Sequence, residues 1–327
     1  MFPKHAGFFY AQQSPGISCR AIAPNCCARV RLYLMPEKTF QSIAIIGTGL
    51  LGASLGLAIK ERKLADRVIG IGRPGSVSHT TAHSRGALDH ADTEPSAIKN
   101  CDLVIVAVNV GKFAEIFRQI APHLKSGAIV TDVGSTKERV MRWAARDLPR
   151  RAIFVGSHPM AGSEKRGPEF ARADLYQNAL CLICPPKVRG KNADRQANAI
   201  DRVEHFWKAL GMRTYRIDPV LHDRWVAAIS HLPHAVASVL VNAAAKEPEA
   251  FIAIAGGFMD TTRIAAGDPA MWTDIFMTNR KALLAWLKEF SGNLKKLQTA
   301  IRRNDAAAVS EFLTQARDVR EKVHSQK

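Results

Sequence analysis

Hydrophobic and polar positions follow one pattern up to about Asp218 and a different pattern beyond it. In the first part, short apolar runs alternate with amphipathic segments such as KFAEIFRQIAPHL and KERVMRWAARDL. The apolar runs are SIAIIG, RVIGIG, DLVIVAV, AIVTDVG, AIFVGSHP and ALCLICP. Fully apolar strands that alternate with helices are typical of a parallel sheet covered on both faces. The pattern over residues 40–218 therefore predicts an α/β domain with a doubly wound, mainly parallel sheet.

Beyond Pro219 the strand pattern stops, and residues 219–327 are predicted to form an all-helical C-terminal domain. The segment DPAMWTDIFMTNRKALLAWLKEFSGNLKKLQTAIRRN is predicted as one long helix with a broad apolar stripe. The stripe comprises Ile275, Phe276, Leu283, Leu284, Trp286, Leu287, Leu294, Leu297 and Ile301. A small helical domain with so broad a stripe often buries it against a second subunit. We therefore expect a homodimer formed through the helical domain.

Residues 1–39 differ from the rest of the chain. They are rich in Pro, Cys and Arg, without a clear period and without the apolar core of a secretory signal. We expect either a disordered extension or a natural start at Met35, directly before PEKTFQSIAIIG. A transit peptide is the alternative, because residues 1–34 contain Arg and no acidic residue, although they show little amphipathic pattern.

Composition narrows the class of protein. The 327 residues are 47% hydrophobic and 23% charged, as in ordinary globular chains, and six cysteines are too few for a disulfide scaffold. No apolar run reaches the roughly 20 residues of a membrane span. The low cysteine count indicates a reducing cytosol, so we expect a cytoplasmic protein. The net charge of +17 permits nucleic-acid binding. Outside residues 1–34 and the basic final helical stretch, Lys and Arg are nevertheless scattered among acidic residues, and no basic run has interleaved aromatics, so a nucleic-acid partner is not favoured.

A glycine-rich turn follows the first predicted strand. Gly47, Gly49 and Gly52 form G-x-G-x-x-G between SIAIIG and an amphipathic helix. The first glycine permits a tight turn, the second lets the backbone approach a pyrophosphate, and the third permits close helix–strand packing. Leu50 and Leu51 then lie at a helix N-terminus, whose free N–H groups bind anions. This arrangement predicts a Rossmann-type domain that binds a dinucleotide.

The choice between NAD and NADP depends on the residue about 20 positions further along. An acidic residue there would bind the 2′-hydroxyl of the NAD ribose. This chain instead has Gly72 followed by Arg73, at the end of RVIGIG. Arg73 favours NADP because it can contact a 2′-phosphate, and a surface arginine without a ligand is the alternative. The sequence leaves NAD and NADP both open.

The stretch GSHPMAGSE at residues 156–164 directly follows a predicted strand. With it, the chain resembles the prephenate/arogenate dehydrogenase family. The resemblance continues in GTGLLGAS, DVGSTK, HDRWVAAISHLPH and DTTRIAAGDPAMW, in consistent order from about residue 41 to the C-terminus. It implies an NAD(P)-dependent enzyme of tyrosine biosynthesis that converts prephenate to 4-hydroxyphenylpyruvate, or arogenate to tyrosine, by oxidative decarboxylation. The sequence does not decide between these two substrates.

The resemblance also assigns catalytic roles. His158 would accept the proton of the ring hydroxyl as hydride departs, which suits a neutral imidazole. Ser135 would orient His158 or the nicotinamide amide, and its structural alternative is a helix N-cap. Val108 is a further expected cofactor contact, and Asn109 stands where the family often has Pro.

Further residues are expected to hold the substrate. Arg263 matches the arginine that binds the substrate carboxylate, and it stands in a largely apolar stretch where an unpaired guanidinium would be costly. Asp260 or Glu164 would pair with it in the empty site and could gate access.

Two histidines three positions apart, His231 and His234, are predicted to share one helix face. A metal site is the sharper alternative, but neither an H-E-x-x-H pattern nor a third ligand accompanies them, so no metal is expected. By resemblance His234 would line the substrate pocket and His231 would support it. Asp223 would lie near the site, and Trp272 would pack over the pocket from this chain or from the partner subunit.

Two rival functions remain from the residues alone. A β-hydroxyacid dehydrogenase also joins a dinucleotide domain to helices, but it relies on a catalytic lysine in the helical domain. A non-catalytic dinucleotide sensor that binds nucleic acid would explain the positive charge. It would leave His158 and Arg263 without a role.

Overall fold

The apolar runs of the first part form one eight-stranded sheet in the computed structural model, which describes residues 39–162, 165–188 and 190–325. The strands follow the order β3-β2-β1-β4-β5-β6-β7-β8. Their bounds are β1 Ser42–Ile46, β2 Arg67–Ile71, β3 His90–Asp92, β4 Leu103–Val106, β5 Ile129–Asp132, β6 Ile153–Pro159, β7 Leu180–Cys184 and β8 Arg213–Arg216. The N-terminal extension expected over residues 1–39 lies outside the described residues except for Thr39.

Strands β1 to β6 are parallel, whereas β7 runs antiparallel to β6 and β8 runs parallel to β7. The prediction of a doubly wound, mainly parallel sheet is confirmed. The helices beside this sheet are α1 Leu50–Glu61, α2 Ser78–Ser84, α3 Phe113–Ile120, α4 Glu138–Asp147 and α5 Ala193–Ala209. The chain reverses direction across the sheet between β1 and β4, which is where such folds bind ligands at the carboxyl ends of the strands.

The core has two layers because successive side chains of a strand point to opposite faces. Ile43 and Ile45 of β1 pack on one face, with Phe206 and Trp207 of α5 in the same cluster. Ala44 and Ile46 pack on the other face, in a cluster that includes side chains of α3. Burial on both sides explains why these strands read as continuous apolar runs.

All elements after β8 are helical in the described part of the chain. They are α6 Pro219–Val226, a π-helical turn Ala227–His231, α7 Leu232–Ala244, α8 Gly256–Thr262, α9 Pro269–Thr278, α10 Arg280–Arg302 and α11 Ala306–Ser325, with short 3-10 helices at Pro248–Ala253 and Arg263–Ala266. Asp218 caps α6 by accepting hydrogen bonds from the N–H groups of Val220 and Leu221. Pro233 follows the π-helical turn, and it lacks the N–H group that a regular α-helical ladder would need there.

The prediction of a single long helix from residue 268 onward is wrong. The chain breaks between α9 and α10 at Asn279, which adopts a non-helical conformation with φ −105° and ψ 28°. Its side-chain amide donates to the backbone carbonyl of Asp223 and lies 3.1 Å from Nδ1 of His231. Periodicity cannot reveal this break, because the apolar stripe continues on both sides of it.

The continuous helical segment Pro219–Ala244 is long and apolar enough, by length and composition alone, to cross a membrane. Its polar side chains His222, Asp223, His231 and His234 are buried within the protein. Asp223 binds backbone N–H groups of the sheet domain. One side of the segment is therefore packed within this fold, and 33% of its apolar window is buried.

Candidate active site

The glycine-rich turn has the space that a dinucleotide needs. Gly47 has φ +93°, and a Cβ atom there would lie 2.6 Å from the carbonyl oxygen of Ala107 and from Cγ1 of Val108. A Cβ atom on Gly52 would lie 2.0 Å from the carbonyl oxygen of Gly47. In contrast, a Cβ atom on Gly49 would meet no described atom within 4 Å. Gly47 and Gly52 are thus required by packing, whereas Gly49 opens onto the space of the ligand.

The first turn of α1 is also free to bind an anion. Gly49 is its N-cap, and this turn has neither a side-chain cap nor an acidic residue. The N–H groups at Leu50 and Leu51 therefore point toward the space beside Gly49. These features fit the pyrophosphate of a dinucleotide, and Val108 contacts the same turn.

His158 lies at the end of β6, at the edge of the sheet where the parallel strands end. It is buried, and its Nδ1 lies 2.9 Å from Nε2 of His222. Burial, the main cause, lowers the pKa of His158 well below 6.5, and the nearby His222 and Lys137 lower it further. The imidazole is therefore neutral at ordinary pH, as a proton acceptor must be.

His222 continues this chain of hydrogen bonds to a carboxylate. Its Nδ1 lies 2.8 Å from Oδ1 of Asp223, which also accepts the N–H of Lys137, while Oδ2 accepts the N–H of Glu138. Burial raises the pKa of Asp223, whereas these N–H groups oppose that rise. Since both carboxylate oxygens accept hydrogen bonds, Asp223 serves as the acceptor for the Nδ1–H of His222.

These contacts determine which nitrogen of His158 is basic. Because His222 donates from Nδ1 and burial lowers its pKa well below 6.5, its Nε2 has a free lone pair. That lone pair accepts the Nδ1–H of His158. The remaining nitrogen of His158, Nε2, then carries the lone pair that can accept a proton.

Asp223 was expected among the residues that bind the substrate, and the structure gives it a different role. Its carboxylate is buried, orients His222 and caps the start of α4. Oδ1 accepts two of these hydrogen bonds and Oδ2 accepts one. A direct contact of Asp223 with the substrate stays a prediction.

Ser135 lies half-buried in the loop between β5 and α4, and it makes no hydrogen bond to His158 among the described residues. The N-cap alternative is also wrong, because α4 begins at Glu138 and is capped by Asp223. The contact of Ser135 with the nicotinamide amide stays a prediction.

A buried ion pair lies beneath this loop and was missed from the sequence. Lys137 Nζ donates to Asp132 Oδ2 over 2.6 Å and to the carbonyl oxygens of Gly134 and Thr136, and both charged side chains are fully buried. Asp132 also accepts the N–H groups of Gly134 and Ser157. The only signal in the sequence is the Asp-to-Lys spacing of DVGSTK at a strand end. The pair fixes the loop adjacent to His158.

His231 and His234 share one face, as predicted. The ring of His234 stacks on that of Trp272 of the same chain, with centroids 3.6 Å apart and planes 11° apart. Nδ1 of His234 is a buried atom without a hydrogen-bond partner among the described residues. Nδ1 of His231 accepts from Asn279, so its proton lies on Nε2. No group of His, Cys, Asp and Glu in the described part of the chain could hold a metal ion.

Arg263 begins the short helical turn after α8, and its side chain is exposed. The argument that it lies in apolar surroundings is therefore wrong. Among the described residues it forms no ion pair with Asp260, which is also exposed, and Glu164 lies outside the described residues. Binding of a substrate carboxylate by Arg263 stays a prediction, as does the gate. Arg73 is likewise exposed after β2.

Two family models match consecutive parts of the chain. Residues 55–216 match the prephenate dehydrogenase nucleotide-binding domain, and residues 218–315 match the prephenate dehydrogenase dimerization domain. The chain belongs to the prephenate dehydrogenase family. This family member is thus an NAD(P)-dependent oxidoreductase.

Relatives of this dehydrogenase agree over most of its length. It is 34% identical to prephenate dehydrogenase of Bacillus subtilis, covering 86% of this chain and 75% of the relative. It is 33% identical to cyclohexadienyl dehydrogenase of Zymomonas mobilis, covering 86% and 95%. A crystal structure of Aquifex aeolicus prephenate dehydrogenase with hydroxyphenyl propionate and NAD+ has a TM-score of 0.78 at 30% identity, covering 86% and 98%. For Synechocystis arogenate dehydrogenase the TM-score is 0.73 at 28% identity, covering 86% and 100%.

Proposed function

We propose that this dehydrogenase carries out the NAD(P)-dependent oxidative decarboxylation of prephenate or arogenate in tyrosine biosynthesis, with His158 as the base. The observation that carries this proposal is the hydrogen-bonded series Asp223–His222–His158. It leaves a basic Nε2 on a neutral, buried imidazole at the carboxyl end of the sheet, the edge that also carries the dinucleotide turn. Family membership alone would not identify which nitrogen reacts.

The reaction needs a base that accepts the proton of the ring hydroxyl. Prephenate and arogenate carry a hydroxyl at C4 of the ring and a carboxylate at C1. A dinucleotide held on the glycine-rich turn would supply the acceptor for the hydride of C4. His158 Nε2 takes the hydroxyl proton, so that the C4 oxygen becomes a carbonyl while the C1–carboxylate bond breaks. Carbon dioxide leaves, the electron pair of the broken bond enters the ring and makes it aromatic, and the C4 oxygen takes back the proton from His158 to become the phenol hydroxyl.

The substrate is an anion, and neutral histidines hold it without a competing negative charge. Arg263 is the cation assigned to a carboxylate, since its planar guanidinium can donate two parallel hydrogen bonds. The orphaned Nδ1 of His234 supplies a further polar contact, and Trp272 stacks on that ring so that its orientation is fixed. Burial lowers the pKa of His234, which keeps it an uncharged partner.

A spectrophotometric assay of reduced nicotinamide, which crosses prephenate and arogenate with NAD+ and NADP+, tests the proposal. We expect His158→Asn to lose nearly all turnover while it still binds the dinucleotide. His205→Asn, on the exposed surface of α5, is the matched control and should retain full turnover. An unchanged kcat in His158→Asn would refute the assigned base. Absence of turnover in all four combinations with folded protein would refute the reaction.

We further propose that the helical domain forms the homodimer. Apolar side chains of α10 are exposed in the single chain, among them Leu284 at 57% and Ile301 at 61%. The description of the matched domain as a dimerization domain supports this proposal. Light scattering of purified protein should give twice the mass of one chain, and a monomeric mass would contradict it. The expectation of a cytoplasmic location is kept as part of this proposal.

A further inference from the structure

We infer that this enzyme selects the dinucleotide that carries a 2′-phosphate on its adenosine ribose, NADP, over NAD. The inference rests on the proposed dinucleotide-dependent function and concerns the segment from Gly72 to His79, which joins β2 to α2. In a sheet of this type, that segment faces the adenosine ribose when the pyrophosphate lies on the glycine-rich turn.

The position where an NAD-dependent enzyme carries its acidic residue is closed in this chain. Gly72 stands at that position, 20 residues after Gly52 in the sequence. A Cβ atom on Gly72 would lie 2.3 Å from Nδ1 of His79 and 2.5 Å from Cγ of the same ring. The imidazole of His79 therefore fills the space that a carboxylate side chain would enter. Position 72 therefore supplies no carboxylate that would bind a ribose 2′-hydroxyl or repel a phosphate.

Donors that suit a phosphate surround this position. The backbone turns between Arg73 and Ser76, where the Ser76 N–H donates to the Arg73 carbonyl over 3.0 Å. Ser76 Oγ lies 3.0 Å from Ser78 Oγ, which in turn accepts from Thr48 Oγ1 over 3.4 Å. Thr48 belongs to the glycine-rich turn itself. This network therefore holds the two serine hydroxyls beside the path of the dinucleotide.

The charges in this segment are also suited to an anion. Arg73 is exposed and forms no ion pair among the described residues, so its guanidinium is available for a bidentate contact. The carboxylate at the end of the adjacent strand belongs to Asp92. It accepts the N–H groups of Thr93 and Glu94 and lies 3.4 Å from Nε2 of His90. These partners occupy Asp92, and its backbone carbonyl accepts the Gly72 N–H.

A second observation indicates that these polar side chains form a ligand site. Nδ1 of His79 is a buried atom without a hydrogen-bond partner among the described residues. Buried polar atoms are normally paired, so this orphan next to Gly72 indicates a missing partner. A 2′-phosphate offers several acceptor oxygens and would satisfy Arg73, the serine hydroxyls and this imidazole together.

Calorimetric titration of the purified enzyme with NADP+ and with NAD+, in the absence of substrate, tests the inference. We expect NADP+ to bind at least about 10-fold more tightly, since hydrogen bonds to charged groups are the stronger class. Arg73→Ala should weaken binding of NADP+ and of 2′,5′-ADP by roughly 10- to 100-fold and leave NAD+ within about 2-fold. Arg67→Ala, at the other end of β2 and equally exposed, is the matched control and should change neither.

The outcomes separate this inference from the proposed function. If NAD+ binds as tightly as NADP+ or more tightly, or if Arg73→Ala weakens both dinucleotides equally, the inference is overturned. Turnover of prephenate or arogenate with NAD+ would then leave the proposed function intact. If neither dinucleotide binds to the folded protein, both the inference and the proposed function fail.

Discussion

Replacing His222 tests whether the hydrogen-bonded series makes His158 a base. His222→Leu removes the acceptor for the Nδ1–H of His158 and places an apolar side chain in a fully buried position. His158 can then adopt the other tautomer, in which Nε2 carries the proton and cannot accept one. We therefore expect a lower kcat with little change in KM, because no contact to the substrate is removed.

The structure gives the size of this effect. One buried hydrogen bond, 2.9 Å between Nδ1 of His158 and Nε2 of His222, loses its acceptor. Leaving a buried donor unsatisfied costs about 1 to 3 kcal/mol. If the whole of that cost raises the activation free energy, kcat falls by about 5- to 150-fold, since about 1.4 kcal/mol is a tenfold change in rate. His222→Gln keeps an acceptor oxygen near the former Nε2 and should recover part of the loss.

Steady-state kinetics with the preferred substrate and cofactor, measured across pH, should be combined with thermal unfolding of each variant. A merely structural His222 would lower the unfolding temperature of both variants and leave kcat per folded enzyme unchanged. That result, with His222→Leu as active as the unmodified protein, would refute the tautomer argument. A loss of kcat that His222→Gln partly recovers would support it.

Three further changes test other parts of the molecule. Gly49→Ala should weaken dinucleotide binding and leave the unfolding temperature nearly unchanged. Gly52→Ala should destabilise the fold, because its Cβ would lie 2.0 Å from the carbonyl oxygen of Gly47. Calorimetric titration measures the first effect and thermal unfolding the second. Lys137→Met leaves Asp132 buried without its cation, and we expect a loss of about 3 to 5 kcal/mol in urea unfolding. Burial lowers the pKa of His231 from 6.5 to about 4. Its neutral form therefore stabilises the fold fully above pH 6.5, and about 3 kcal/mol is lost as the pH falls to 4. Urea unfolding of His231→Gln should show a shallower loss over this range, and an identical slope would contradict the assignment.

Strand positions could be predicted because strands that are buried on both faces are continuous apolar runs. The glycine-rich turn could be predicted because its function restricts which residue types it can contain. The break at Asn279 could not be predicted, since the apolar stripe that defines α9 and α10 runs through it. What ends the helix is a tertiary contact, the amide of Asn279 on the carbonyl oxygen of Asp223. Such a contact joins residues 56 positions apart and leaves no local pattern.

The residues of the candidate site also differ in whether the sequence could predict them. His158, His231 and His234 could be proposed from motif and spacing, and the structure places His231 and His234 together against Trp272. Ser135 was expected to orient His158. The hydrogen bond to His158 is instead made by His222, which stands 64 residues after His158 in the sequence. Burial of Arg263 was inferred from its apolar neighbours along the chain, although burial depends on which face of a short helix is covered.

Asp223 shows why the orientation of the base and the docking of the helical domain are one event. Its carboxylate accepts two N–H groups at the start of α4, from the sheet domain, and the Nδ1–H of His222, from α6. A buried N–H group without an acceptor is costly. All three N–H groups have their acceptor only when both domains are in place. The same carboxylate fixes the tautomer of His222 and, through it, the basic nitrogen of His158. An imidazole anchored in this way is neutral because of its burial and correctly oriented because of the domain contact, and neither property comes from the sheet alone.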